Sequence, residues 1–195
     1  MRRLSVLWCV LSWAGAAGAG HGLLNSFAGI EWLPPPGGTP DSVFYGPERW
    51  WDQRALAAAH EPMQRMRLAV GLARERLAEA LAMVRADEPA ALQLALADWQ
   101  AMLAVAVSAS AELGDGVRVE LANAVLEQRY IAATEYLDLP HAARAPLLSS
   151  LQAVAASYAA LAATLARARR EALFFREEEA RWSVEMAQAA DEQGL

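Results

Sequence analysis

At 195 residues the chain is long enough for one domain with a small appendage. Its 23 acids outweigh 17 basic residues, all of them Arg, and no basic stripe breaks the balance, which excludes the footprint of a nucleic-acid binder and any charge-based hold on an anionic membrane. Apolar residues make up 55% of the chain, but alanine dominates them and β-branched residues are sparse, which favours helices over a sheet.

Met1-Arg2-Arg3 forms a short positive start, Leu4 to Trp13 an apolar run, and Ala14 to Gly20 a small-residue spacer. This is the pattern of a secretory signal peptide over residues 1–19, with cleavage after Ala19 at Ala17-Gly18-Ala19. The run is shorter than the roughly 20 residues of a spanning helix, so no membrane span is expected after cleavage. The expected location is the periplasm or the exterior. A retained anchor is the alternative. Cys9, the single cysteine, lies in this leader, so the processed chain would have neither disulfide nor thiolate chemistry. Cleavage after Gly18 would instead expose Ala19-Gly20-His21, an amine and third-position His able to chelate Cu(II). An accidental His in a new terminus is the simpler reading.

Residues 20–46 read as an extended Pro/Gly-rich segment. Leu33-Pro34-Pro35-Pro36-Gly37-Gly38 can be neither helix nor central strand, and Asp41 or Ser42 suits a capping role. Residues 47–195 read as the helical domain. A first helix is predicted over about 47–59, opened by Pro47 and carrying Trp50 and Trp51. Adjacent tryptophans on a helix point about 100° apart, so they cannot share one core stripe. Either one covers the bundle end while the other meets a loop, ligand or partner, or both cap the core.

A second helix is predicted over about 62–86, with Met63, Met66, Val70, Ala73, Leu77, Ala80 and Val84 in heptad spacing. Asp87 is placed as the cap of a third helix over about 88–113, whose seam is Leu92, Leu96, Trp99, Leu103, Ala106, Ser110 and Leu113. A fourth helix, about 117–137, has a stripe interrupted by Gln128 and Glu135. Asp138 is placed as the cap of a last helix, with Pro146 allowing a kink or restart. From Leu147 the seam reads Leu151, Val154, Tyr158, Leu161, Leu165, Ala168, Ala172, Phe175, Trp182 and Met186, broken only by Glu179. No Gly or Pro falls in 147–193, so one long C-terminal helix with a projecting end is expected. Short connections make neighbours antiparallel, giving an all-α, up-down bundle with coiled-coil-like seams.

Reactive constellations are scarce. None of His21, His60 and His141 follows a Glu by three positions, as a di-metal bundle site requires. Met63, Met66 or Met102 with His141 could ligate haem, and Met63-x-x-Met66 could hold copper, but seam packing accounts for these methionines. Ser108 and Ser110 have no His nearby in sequence, and nucleophile-elbow and phosphate-loop motifs are missing. Glu177-Glu178-Glu179 between Arg176 and Arg181 reads as a solvated face, with partner binding as the alternative. No catalytic residue, metal site or cofactor is expected. Phe44, Tyr45, Trp50 and Trp51 fall within eight residues and are candidate contact anchors.

The run Gly38-Thr39-Pro40-Asp41-Ser42-Val43-Phe44-Tyr45-Gly46-Pro47-Glu48-Arg49-Trp50-Trp51 resembles the opening of domain-of-unknown-function family 5667. Ala73-Arg74-Glu75-Arg76-Leu77-Ala78-Glu79-Ala80 is similar to that family's Ala-x-x-Arg-Leu-Ala-Glu-Ala helix. Val43 stands where the family has Pro, and Asp52 lies near where an acid follows the aromatics. The resemblance covers about residues 38–112 and implies an exported helical protein, with no enzyme activity attached. Its blocks supply the candidate structural or interaction residues Asp41, Tyr45, Arg49, Trp50, Trp51, Arg76 and Glu79. Asp41 is expected to cap the turn, Tyr45 and Trp50 to close the bundle end, and Arg49 to reach a carboxylate such as Glu79. Together these readings describe a non-enzymatic module that meets another protein, or itself through the C-terminal helix. A periplasmic small-ligand or metal sensor is the alternative.

Overall fold

The computed structural model describes residues 26–30 and 32–192; the leader, its cleavage region and the Ala19-Gly20-His21 chelate lie outside the described residues. The chain divides into two units, residues 1–30 and 31–195. In the first, residues 26–29 form a turn, followed by a 3.2 Å bond from Ile30 N–H to the Phe27 carbonyl, with Gly29 at φ +77°, where only glycine sits without steric cost.

The second unit is helical throughout: α1 (Tyr45–Ala58), α2 (Pro62–Arg85), α3 (Pro89–Ser110), α4 (Asp115–Glu135), a 3-10 turn (Tyr136–Asp138), α5 (His141–Ala163) and α6 (Arg167–Glu192). No strand occurs among the described residues. Pro62 and Pro89 open α2 and α3, where a missing N–H costs nothing. The α2–α3 hairpin forms the most extensive interface, and α4 and α5 close the bundle against it. Ion pairs Arg67–Glu120 (3.2 Å) and Arg85–Glu135 (3.3 Å) show that α2 and α4 run in the same sense, as up-down connectivity requires. The α2 seam is buried at Met66 and from Ala73 to Val84, with Val70 half-buried, and the α3 seam from Leu92 to Ser110, with Trp99 and Leu77 fully enclosed. By length and composition α3 and α5 could each cross a membrane. Here α3 buries Leu92, Leu96, Trp99 and Leu103 and α5 buries Leu147, Leu151, Val154, Tyr158 and Leu161, while most of their alanines are not buried.

The polar interruptions of α4 have partners. Gln128 is 1% exposed and its Oε1 accepts the Trp99 indole N–H at 2.8 Å, while Glu135 pairs with Arg85. A buried indole N–H needs an acceptor, so the break in the stripe is the cost of enclosing Trp99.

Three expectations need correction. Asp87 does not cap α3. It ends α2, at φ +58°, with Asp87 N–H on the Val84 carbonyl and Glu88 N–H on that of Met83. This is a Schellman closure with Asp in the position glycine usually takes. Asp138 does not cap α5 either; it sits in the 3-10 turn, and Pro140 occupies the N-cap. The single long C-terminal helix is two helices, α5 and α6. Thr164 and Leu165 N–H groups bond three residues back, to Leu161 and Ala162, and Thr164 Oγ1 also donates to the Leu161 carbonyl at 2.7 Å. These bonds tighten the last turn and let Leu165 bury itself. The turn brings α6 back along α4, where Leu173, Ala180 and Val184 are buried. Burying those side chains stabilises by about 4 kcal/mol, which outweighs the few helical bonds lost at the break. Pro146, by contrast, is accommodated inside α5.

Candidate functional site

The motif residues converge where α1 crosses α2 and α3. Tyr45, Arg49, Asp52 and Leu56 recur at i, i+4, i+7 and i+11, so they share the inner face of α1. On α2, Leu72, Arg76, Glu79 and Met83 follow the same spacing and are all buried, one residue back from the heptad seam. Two polar stripes therefore meet, with Asp98 of α3 beneath them.

The Arg76 guanidinium is the centre of the arrangement. Its Nη1 donates to Glu79 Oε1 and Oε2 at 2.8 and 2.7 Å, and its Nη2 donates to Asp52. Arg76 and Glu79 side chains are 3% and 0% exposed. Asp98 accepts the Tyr45 hydroxyl and Arg49 Nη2, both at 2.6 Å. Arg49 and Arg76 also stand 5.6 and 5.2 Å from the Tyr45 ring centroid, within cation–π range. Burial pushes the Tyr45 phenol well above its ordinary range, and the bond to Asp98 adds to the shift. Burial also pushes Glu79 up to about 7, against the pull of Arg76 and with the help of Glu48 and Glu75. Glu75 is raised by burial and then by Asp52.

The Pro/Gly segment is fastened to the same cluster. Gly38 N–H donates to Glu48 Oε2 at 2.9 Å, and the Trp32 carbonyl accepts Arg74 Nη2 at 2.9 Å. A Cβ on Gly37 would lie 2.7 Å from Glu48 Oε1 and 3.3 Å from Glu79 Oε1. A side chain there would push the Glu48 carboxylate aside, so glycine lets the backbone approach it undisturbed. Ser42 then shapes the turn into α1: its carbonyl accepts Tyr45 N–H at 3.1 Å and its Oγ accepts Phe44 N–H at 3.3 Å. The cap role expected of Asp41 falls to Ser42, and Asp41 is exposed.

Tyr45, Arg49, Arg76 and Glu79 are brought together as the motif suggested, but with different pairing. Arg49 reaches Asp98 on α3, because Glu79 is already held by Arg76 on its own helix. Neither expected residue closes the bundle end: Tyr45, 4% exposed, packs on Arg76 and Asp98 midway along α2 and α3, and Trp50 and Trp51 are 47% and 63% exposed. They stack edge-to-face at 4.6 Å, and Arg54 lies 4.6 Å over the Trp50 ring. With Tyr45 and Arg49 fixing the inner face of α1, the intervening tryptophans must face outward. Asp98, Asp52, Glu48 and Gly38 were absent from the candidate residues. Asp98 had a readable signal: it is the only charged residue from Pro89 to Ser110, and a lone carboxylate in so apolar a helix calls for a cationic partner.

Chemically, the guanidinium groups and carboxylates satisfy one another, and the cluster holds backbone in place. The fold and this site define an all-α domain whose extended N-terminal strap is clamped to a helical hairpin by a buried ionic cluster. The chain belongs to the DUF5667 family, a domain of unknown function, which it matches over residues 37–139. Every clamp residue falls within that span, while α5 and α6 lie beyond it. No curated protein and no solved structure matches the chain.

Proposed function

We propose that the protein is an exported, non-enzymatic module of the cell envelope that works by protein–protein contact through the aromatic face of α1. One observation carries this reading: Phe44, Trp50 and Trp51 stand 71%, 47% and 63% exposed on the same turns whose other residues, Tyr45, Arg49 and Asp52, are locked into the clamp. Three large aromatics held on a rigid backbone lose little freedom when a partner covers them, and tryptophan is a favoured interface anchor. The leader-like residues 1–19 support export.

The test uses tagged full-length protein in the cells that make it. Fractionation should find a processed chain outside the cytoplasm. Chemical cross-linking should give a discrete adduct that the Trp50→Ala, Trp51→Ala double variant loses while its helical circular dichroism is unchanged. An unprocessed cytoplasmic chain would overturn the export claim, and an adduct indifferent to both tryptophans the contact claim. Native mass spectrometry separates the sensor reading, since a stoichiometric small ligand or metal would replace this proposal.

A further inference from the structure

The helix α6 carries two apolar stripes on opposite sides. Leu173, Ala180 and Val184 are buried against the bundle. Two residues on, about 200° round the helix, Phe175, Trp182 and Met186 remain 56%, 55% and 49% exposed. Ala168 and Ala172 extend this outer row, also exposed, and Phe174, 53% exposed, packs edge-to-face on Phe175 at 5.6 Å. The row 168, 172, 175, 179, 182, 186 has heptad spacing, the pattern that suits another helix of the same pitch, and of its members Glu179 is half-buried beside Tyr130 of α4 while the others are exposed. Four half-exposed large side chains in a line of ~18 Å form a patch that isolated surface residues would not.

We infer that this face pairs with α6 of a second copy of the chain, antiparallel, about a two-fold axis. The charges choose the orientation. Residues 167–171 carry three arginines against Glu171, while the last half carries Glu185, Asp191 and Glu192 against Arg181, so α6 runs from net positive to net negative. That polarity opposes the helix's own macrodipole and is offset locally within α6 by Arg167–Glu171 at 2.8 Å and Arg181–Glu185 at 3.3 Å. An antiparallel copy sets each arginine turn over the acidic half of the other helix and opposes the two dipoles; a parallel copy sets arginine on arginine. A two-fold pair also needs one self-complementary patch, which this row supplies, with Phe175 of one copy beside Trp182 of the other. The exposed halves of the four large side chains give about 400 Å² per copy, about 800 Å² in all, the size of a weak, reversible dimer.

Sedimentation velocity on the full chain from ~1 to ~200 µM should show a monomer–dimer equilibrium. Trp182→Glu should weaken it ~30-fold or more without altering helicity, because the side chain is exposed. In a Cys9→Ser background, mixing Ala168→Cys with Ala189→Cys chains should give the mixed disulfide in preference to either homodimer. A monomer throughout, a dimer indifferent to Trp182→Glu, or preferred 168–168 linkage would overturn the inference. The residues differ from Trp50 and Trp51, so this proposal and the function proposed above can fail separately.

Discussion

Replacing Arg76 by Met probes the clamp most directly. The substitution removes three charge-assisted donor contacts, to Glu79 Oε1, Glu79 Oε2 and Asp52, and the cation over the Tyr45 ring. Asp52 is 23% exposed on its side chain and regains water, but Glu79, at 0%, cannot. Such losses cost about 3 kcal/mol where Glu79 is neutral, near pH 6. At higher pH the two proteins diverge. In the native chain Glu79 ionises near 7 with Arg76 beside it. Without Arg76 it must stay protonated to a higher pH, while the unfolded chain ionises near 4.5 in either case. Each pH unit above 7 therefore adds about 1.4 kcal/mol to the cost, reaching about 5 kcal/mol at about pH 8.5. Urea unfolding of wild type and Arg76→Met at several pH values from 6 to 9 reads this out. A companion variant, Arg76→Met with Glu79→Met, removes the stranded acid and should be more stable than the single variant at the alkaline end. A cost that stays flat over this range, or below about 1 kcal/mol throughout, would refute the assignment of Arg76 as counter-ion to a buried Glu79.

Glu79 has its own signature: because its folded pKa of about 7 exceeds the unfolded 4.5, the folded state holds the extra proton between them, and stability falls as pH rises through that window. Glu79→Gln should remove this slope, on the order of 3 kcal/mol across the window, when the two urea titrations are subtracted. Gly38→Ala places a Cβ 2.2 Å from Glu48 Oε2 and should displace that carboxylate, costing about 1 kcal/mol and exposing the strap to limited proteolysis. Asp87→Gly relieves a non-glycine left-handed residue at the end of α2 and should raise stability by about 1 kcal/mol in thermal melts. Arg129→Met should cost about 1 to 2 kcal/mol in urea unfolding, because Arg129 is 7% exposed and its charge faces Glu177 and the Tyr158 hydroxyl bonded to it, which the substitution leaves without their cation.

The helical hairpin was legible because its residues keep one period: Ala73 to Val84 and Leu92 to Ser110 bury as their heptad spacing requires, and of the seam between Met66 and Val84 Val70 alone stays half-buried. The C-terminal part misled for the same reason. Phe175, Trp182 and Met186 continue the period of Leu151 to Leu165, yet the turn at 164–166 resets the register and Leu173, Ala180 and Val184 go inward instead. Periodicity reports that a face is apolar, and says nothing of which partner covers it. Within the site, Tyr45, Arg49, Arg76 and Glu79 were visible as polar letters in a motif, but their pairing was not. That depends on the crossing of α1 over α2 and α3, a tertiary fact with no local trace. Asp98 is the exception, being legible as a charge that an apolar helix could not carry alone.

The clamp and the exposed aromatics have one structural cause. The first helix buries only Tyr45 and Leu56, too little apolar surface to hold a 14-residue helix and the strap before it. Ionic contacts of Arg49 with Asp98 and of Asp52 with Arg76 replace the missing apolar seam. A helix anchored by charge on its inner face is free to carry tryptophan on its outer one, since the core makes no demand on those positions. An apolar seam on α1 would hold the helix as well, but it would place no constraint on the strap. The cluster also seats Gly37 and Gly38 against Glu48 and Glu79, so backbone and aromatics are fixed together. The buried charges are therefore best explained by the position they enforce, because a well-packed apolar replacement would match or exceed their stability.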